Sequence, residues 1–341
     1  MDHPALDALM LPFASGRLGW PETGGLFLRA HDGPALRRHA PRTLVCEQTF
    51  RPGHDALARA GFAVRAAGGD VHPLVLVLPP RQRDEARALF AHAALRAAPD
   101  GIVVAAMAND AGAKSGQADF EALFGTATVL GKYRCRVFWS RAGNADPARL
   151  REWAALDAPR PILDGRYTSR PGVFAWDRID AGTALLLRHL PDSLSGRGAD
   201  LGAGWGCLSD AVLERCPGAV ALDVVEAELR ALECAKESLA RHAGRVALSF
   251  HWLDATAGLP GRYDFIVTNP PFHALDGAPR PDIGRAFIAA AAAALRPGGT
   301  LWLVANRHLP YEEALGAGFG EVRTVAQEQG YKVVAATRRA R

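Results

Sequence analysis

Cysteine is scarce in this sequence and never paired by spacing. Five occur in 341 residues, Cys46, Cys135, Cys207, Cys216 and Cys234, an odd number with no CxxC among them. Neither a disulfide framework nor a zinc site is indicated, and a reducing cytosol is the expected setting. Long apolar runs are also missing. The longest alanine-rich stretch, 289–295, ends at Arg296-Pro297-Gly298-Gly299, a helix stop well short of a membrane span. The amino terminus carries Asp2 and Asp7 and no basic-then-apolar pattern, so secretion is not expected. No single sign of charge dominates. The net +4 divides into +5 over residues 1–170 and −1 over residues 171–341, an asymmetry compatible with a polyanion docked mainly by the first half. Part of that excess reflects a general preference for Arg over Lys.

Hydrophobic content of 49% and charged content of 22% are those of a globular protein, and the length suits two domains of ordinary size. The first half reads as alternating strand and helix, with strands over 43–46, 71–78 and 101–107 and helices over 55–60, 83–97 and 118–124. No glycine-rich loop follows its first readable strand, so no nucleotide site is expected there. The stretch 132–139 reads as one strand in which Lys132, Arg134 and Arg136 share a face. Such a face serves either as a solvated edge or as a phosphate-contacting stripe. Residues 141–165, interrupted by Pro147, Pro159 and Pro161, read as a linker. The expected domains are 1–165 and 166–341.

The second half opens with Phe174 and Asp180, placed to fold back over a ligand edge, although Asp180 also suits a helix start over 183–190. A strand then runs from Ala199 through Asp200 into Gly202-Ala203-Gly204-Trp205-Gly206-Cys207. Its glycines permit close backbone approach to a ligand and its following helix offers free N–H groups. Position 207 is Cys and the third glycine arrives early, which departs from the dinucleotide fingerprint and favours an adenosyl ligand without a pyrophosphate. Asp223, about twenty residues on, ends the next strand on this reading and takes the ribose hydroxyls. Asp254 follows the third strand. The fourth, 263–268, stops at Asn269-Pro270-Pro271-Phe272, where two prolines fix the chain and end the ladder. Such an edge offers fixed hydrogen-bond acceptors beside an aromatic ring, suited to a planar group with an exocyclic amine. Taken alone it is equally a rigid turn. Four acidic or amide groups ending successive strands of one sheet argue for a site.

Asp200-Leu201-Gly202-Ala203-Gly204 together with Asn269-Pro270-Pro271-Phe272 resembles class I S-adenosylmethionine-dependent methyltransferases that act on exocyclic amines. With 171–174 (PGVF), 180–183 (DAGT), 305–311 (ANRHLPY) and 330–333 (GYKV), the chain resembles the ribosomal RNA small subunit methyltransferase C family and its large-subunit relatives. The likeness runs through 171–341 and is looser before it, at 109–114 and 131–136. It implies two Rossmann-like methyltransferase domains in tandem. The first would be a degenerate copy serving RNA docking; the second would carry a seven-stranded catalytic sheet. The implied reaction is methyl transfer from S-adenosylmethionine to guanine N2 in 16S rRNA. Alternatives are 23S rRNA, adenine N6 or a protein glutamine. A dinucleotide-dependent dehydrogenase and a non-catalytic RNA-binding protein are further readings, disfavoured by Cys207 and by the intact site residues.

The resemblance implies catalytic roles for Asn269, Pro270, Pro271 and Phe272. Asp200, Gly202, Gly204, Asp223, Asp254, Phe174 and Asp180 would hold the cofactor, with Asp254 on the adenine amino group. Lys132, Arg134, Arg136 and Arg307 would meet RNA. The expected partner is ribosomal RNA or a ribosomal subunit, with no metal, no membrane and a monomeric, cytoplasmic protein. His273 and His308 receive no role. Trp205 and Cys207 depart from the small residues usual after the second glycine.

Overall fold

A computed structural model describes residues 3–271 and 281–340, and the chain divides into two compact units, 1–158 and 159–341. The first unit contains strands β1 (Leu26–Leu28), β2 (Val45–Glu47), β3 (Ala63–Arg65), β4 (His72–Val77), β5 (Ala97–Ala108), β6 (Thr128–Lys132) and β7 (Cys135–Arg141). Its helices are α1 (Pro4–Ala14), α2 (Pro34–His39), α3 (Arg51–Arg59), α4 (Arg83–Leu95), α5 (Ala113–Phe124) and α6 (Pro147–Ala154). The strands form one seven-stranded sheet in the order β3-β2-β1-β4-β5-β7-β6. All pairings are parallel except those of β7, which runs antiparallel to β5 and β6. The apolar runs of β4 and β5 are buried on both faces, as central parallel strands require.

The second unit begins with a hairpin, β8 (Arg160–Ile162) and β9 (Tyr167–Ser169). Its main strands are β10 (Gly196–Leu201), β11 (Ala219–Glu226), β12 (Ala247–Trp252), β13 (Tyr263–Thr268), β14 (Leu295–Asn306), β15 (Glu321–Glu328) and β16 (Tyr331–Thr337). Helices α7 (Ala181–His189), α8 (Cys207–Arg215), α9 (Leu229–Leu239), α10 (Pro281–Ala294) and α11 (Glu312–Gly318) complete it. The sheet order is β12-β11-β10-β13-β14-β16-β15, with β16 antiparallel to its neighbours. This repeats the first unit strand for strand and sense for sense. The expected tandem of two α/β units with the second seven-stranded is therefore what the chain forms.

Several local expectations are corrected. The first strand of the first sheet is β1, three residues long and too short to stand out by periodicity. The 141–165 stretch holds α6, whose Asp146 side chain accepts from the N–H groups of Ala148 and Arg149, so little of it is free linker. The 132–139 segment is not one strand. Lys132 closes β6 and Cys135 opens β7, while Tyr133 and Arg134 turn the chain with φ of 53° and 57°. Residues directly opposite share a face, and Lys132 faces Cys135, so Arg136 points the other way. Arg136 also donates to Gln117 Oε1 at 2.7 Å. The three cations therefore form no common stripe.

Candidate active site

The sheet of the second unit reverses its winding between β10 and β13, and the carboxyl ends of these parallel strands lie side by side. Such a switch point leaves a crevice where open α/β sheets take their ligands. Leu201 pairs with Thr268 across this edge, so Gly202 and Asn269 follow at the same level. Thr268 ties the two ends together, its Oγ1 donating to the Leu201 carbonyl at 2.7 Å. On the other side Leu201 pairs with Val225, and Glu226 pairs with Trp252, so Glu226 and Asp254 complete the rim.

Asn269 is held by its amide nitrogen. Nδ2 donates to Asp180 Oδ2 at 3.1 Å and to Thr183 Oγ1 at 2.9 Å. An ionised carboxylate can only accept, so this contact sets which end of the amide faces it. With both amide hydrogens engaged, the Asn269 oxygen is left to accept from a ligand. Asp180 also caps α7, its Oδ2 accepting from Gly182 N–H at 2.9 Å and Thr183 N–H at 3.2 Å. Both sequence readings of Asp180 thus meet in one side chain. Its contacts are with the helix start and with Asn269 at the ligand edge, all through Oδ2. Thr183 was not foreseen as part of the site. Pro270 is buried and Pro271 exposed, while Phe272 and His273 lie outside the described residues.

Asp223 does not end its strand. The apolar run continues through Val224 and Val225, and β11 closes at Glu226. Asp223 is 1% exposed, and its carboxylate accepts from Arg197 Nη2 at 2.8 Å and from the Tyr263 hydroxyl at 2.7 Å. These bonds occupy it within the sheet, and the acid that stands at the rim is Glu226, the last residue of β11. Glu226 Oε2 accepts from Gly204 N–H and Oε1 from Glu228 N–H, both at 2.8 Å. Its side chain thereby buttresses the glycine loop. Burial raises its carboxyl pKa above the ordinary value. The missed signal was Val224-Val225, which carries the strand past its first acid.

Gly202 and Gly204 have φ of 68° and 57°, conformations that an L-residue pays to adopt. A Cβ on Gly204 would meet nothing within 4 Å, so the loop leaves open space in front of its backbone. Asp200, behind the loop, is fully buried. Oδ2 accepts from Ser209 Oγ at 2.7 Å, while Oδ1 finds no donor among the described residues. Burial pushes its carboxyl up to about 7, against the hydrogen bonds from Ser209. Asp254 Oδ1 accepts from Thr256 N–H at 2.9 Å and from Thr256 Oγ1 at 2.7 Å. Phe174 is 66% exposed on the segment before α7, and Arg307 is exposed just beyond β14. The positive φ at both glycines, the open space and the Glu226 carboxylate fit an adenosyl cofactor.

The first unit repeats this geometry with different residues. Leu28 pairs with Val77, so buried Leu78, followed by Pro79-Pro80, stands where Asn269-Pro270-Pro271 stands in the second. Arg29, φ 52°, takes the place of Gly202. Ala30 N–H donates to the Glu47 carbonyl as Ala203 N–H does to Val225, which aligns Gln48 with Glu226. Gln48 Oε1 accepts from Phe50 N–H, as Glu226 does from Glu228, but its Nε2 is spent on the Ala30 carbonyl at 2.7 Å.

A glycine loop at the switch point of a seven-stranded sheet, ending in an oriented Asn-Pro-Pro edge, defines a class I methyltransferase unit. The methyltransferase small domain family model matches residues 164–335. Ribosomal RNA small subunit methyltransferase C of Shewanella amazonensis is 31% identical over 316 residues, 90% of this chain and 91% of its own. The Shewanella baltica OS195 protein of the same name is 34% identical over 265 residues, 76% of this chain and 74% of its own. Among solved structures, a T. thermophilus 16S rRNA N2 guanine methyltransferase in complex with AdoMet and guanosine is similar. It superposes with a TM-score of 0.78 at 29% identity, covering 99% of this chain and 92% of its own. The chain belongs to the ribosomal RNA small subunit methyltransferase C family.

Proposed function

We propose that this protein methylates the exocyclic N2 of a guanine in 16S rRNA, using S-adenosylmethionine. The observation that carries the reading is the fixed Asn269 amide, whose two hydrogens are committed to Asp180 and Thr183. The cofactor, when bound, supplies a methyl group activated by its sulfonium. Glu226 accepts from the ribose hydroxyls and Asp254 from the adenine amino group, while Gly202 and Gly204 admit the ligand close to the backbone. The guanine amine is a poor nucleophile because its lone pair is delocalised into the ring. The Asn269 oxygen and the Pro270 carbonyl accept its two hydrogens, favour a pyramidal nitrogen and fix its line of approach. An amide oxygen is no base near neutral pH, so the departing proton goes to solvent. Phe174 and Phe272 supply aromatic surface for cofactor and base.

The first unit, with Arg29 in place of Gly202 and Leu78 in place of Asn269, holds RNA and performs no chemistry, and Arg307 offers a phosphate contact on the second. The protein acts as a cytoplasmic monomer on ribosomal RNA or a ribosomal subunit. Among the described residues no cluster could hold a metal, and no helix is long and apolar enough to cross a membrane. The test is enzymatic digestion of 16S rRNA after incubation of both protein-free 16S rRNA and small ribosomal subunits with the protein and labelled cofactor. Label in N2-methylguanosine is expected; label in N6-methyladenosine, or none in RNA, would refute the reading.

A further inference from the structure

The β6–β7 turn is built from residues that gain nothing conformationally by being there. Tyr133 and Arg134 both sit in the left-handed region, at φ 53° and 57°. A two-residue hairpin turn of this hand is cheapest as Asn-Gly, and a bulky pair at both positions is strained. The strain is not repaid by burial. Tyr133 is 51% exposed, and the Arg134 guanidinium meets no partner among the described residues. The backbone of the turn is nevertheless firmly placed. Asn109 N–H donates to the Arg134 carbonyl at 2.8 Å, and Cys135 Sγ to the Tyr133 carbonyl at 3.3 Å. Lys132 Nζ lies 5.9 Å from the centre of the Tyr133 ring. A cation thus backs the ring near one face, a second cation follows it, and the hairpin presents all three to solvent.

We propose that this turn is an RNA contact: Tyr133 stacks on an unpaired base, with Lys132 and Arg134 on the flanking phosphates. The inference rests on the reading of the protein as an rRNA methyltransferase and gives its substrate a single-stranded element at this site. Stacking on an exposed ring tolerates any base, and two phosphate contacts make it salt-dependent. Arg136, tied to Gln117, takes no part.

The double change Tyr133→Asn with Arg134→Gly replaces the strained pair by the relaxed one. Its melting temperature should rise, while its dissociation constant for protein-free 16S rRNA and for small ribosomal subunits should increase about tenfold or more. Its salt slope should also flatten by about one unit. Tyr133→Phe should bind as the wild type, and cofactor affinity should be unchanged in both. A purely conformational turn would give the higher melting temperature with unaltered RNA affinity and slope, and that result overturns the proposal. Methylation by the wild type is followed on the same RNA. If the wild type methylates and the double variant binds as tightly, only the turn's role falls. If the wild type leaves the RNA unmethylated, the underlying reading falls with it.

Discussion

Asn269 Nδ2 and Asp180 Oδ2 lie 3.1 Å apart although 89 residues separate them in the chain. One carboxylate oxygen therefore serves two structures, the start of α7 and the orientation of the amide at the end of β13. Asp180→Ala should lower kcat about ten- to a hundredfold with cofactor affinity nearly unchanged, since Asn269 loses its main orienting partner. Loss of the cap should cost about 1 kcal/mol of stability as well. Thr183→Val separates the two effects, because it keeps the Asp180 cap and removes only the second acceptor. A several-fold fall in kcat with little change in melting temperature is expected. If Asp180→Ala weakened the cofactor and left kcat intact, Asp180 would belong to the cofactor site after all.

Asp223 is bonded within the sheet while Glu226 stands at the rim, which is why the ribose role is proposed for Glu226. Glu226→Gln should raise the cofactor dissociation constant about tenfold, the cost of one charge-assisted hydrogen bond to a ribose. Asp223→Asn should leave cofactor affinity alone and destabilise the fold by about 2 kcal/mol. It weakens the pairing of Arg197 and of the buried Tyr263 hydroxyl. Calorimetry with S-adenosylmethionine and denaturant unfolding of both variants decide the division; the opposite pattern would restore Asp223 to the site.

Asp200 has a consequence for pH. Its carboxyl pKa rises from 3.8 to about 7 on folding, so between those values the native state holds a proton that the unfolded chain has lost. Stability from this group therefore falls as pH rises through that window and levels off above it. Asp200→Asn removes the titration. The melting temperature of the variant relative to wild type should climb between about pH 4 and 7 and then stay level. A difference independent of pH would mean that Asp200 is ionised in the fold.

Much of the fold was legible because buried parallel strands announce themselves as apolar runs ending in turn residues. Residues 199–207 and 263–271 showed both the strands and the ligand edge. β1 escaped because three residues carry no periodicity, and its loss hid the correspondence between the two units. The Tyr133-Arg134 turn escaped because nothing in those side chains favours positive φ. Asp180 and Thr183 were readable as a helix start, but their contact with Asn269 depends on two distant segments meeting, which no local pattern encodes. Glu226 is masked in the sequence by Asp223, an acid inside the apolar run that β11 carries on to its end.

In the proposed reaction Asn269 serves methyl transfer through its oxygen and does not bind the cofactor. Asn269→Ala tests it most directly, in paired measurements on one preparation: calorimetry with S-adenosylmethionine and single-turnover methylation of 16S rRNA. The expected result is a cofactor affinity within about twofold of wild type and a rate reduced about a hundredfold or more, as for loss of one preorganised contact in the transition state. A folded variant that methylates at close to the wild-type rate would contradict the account.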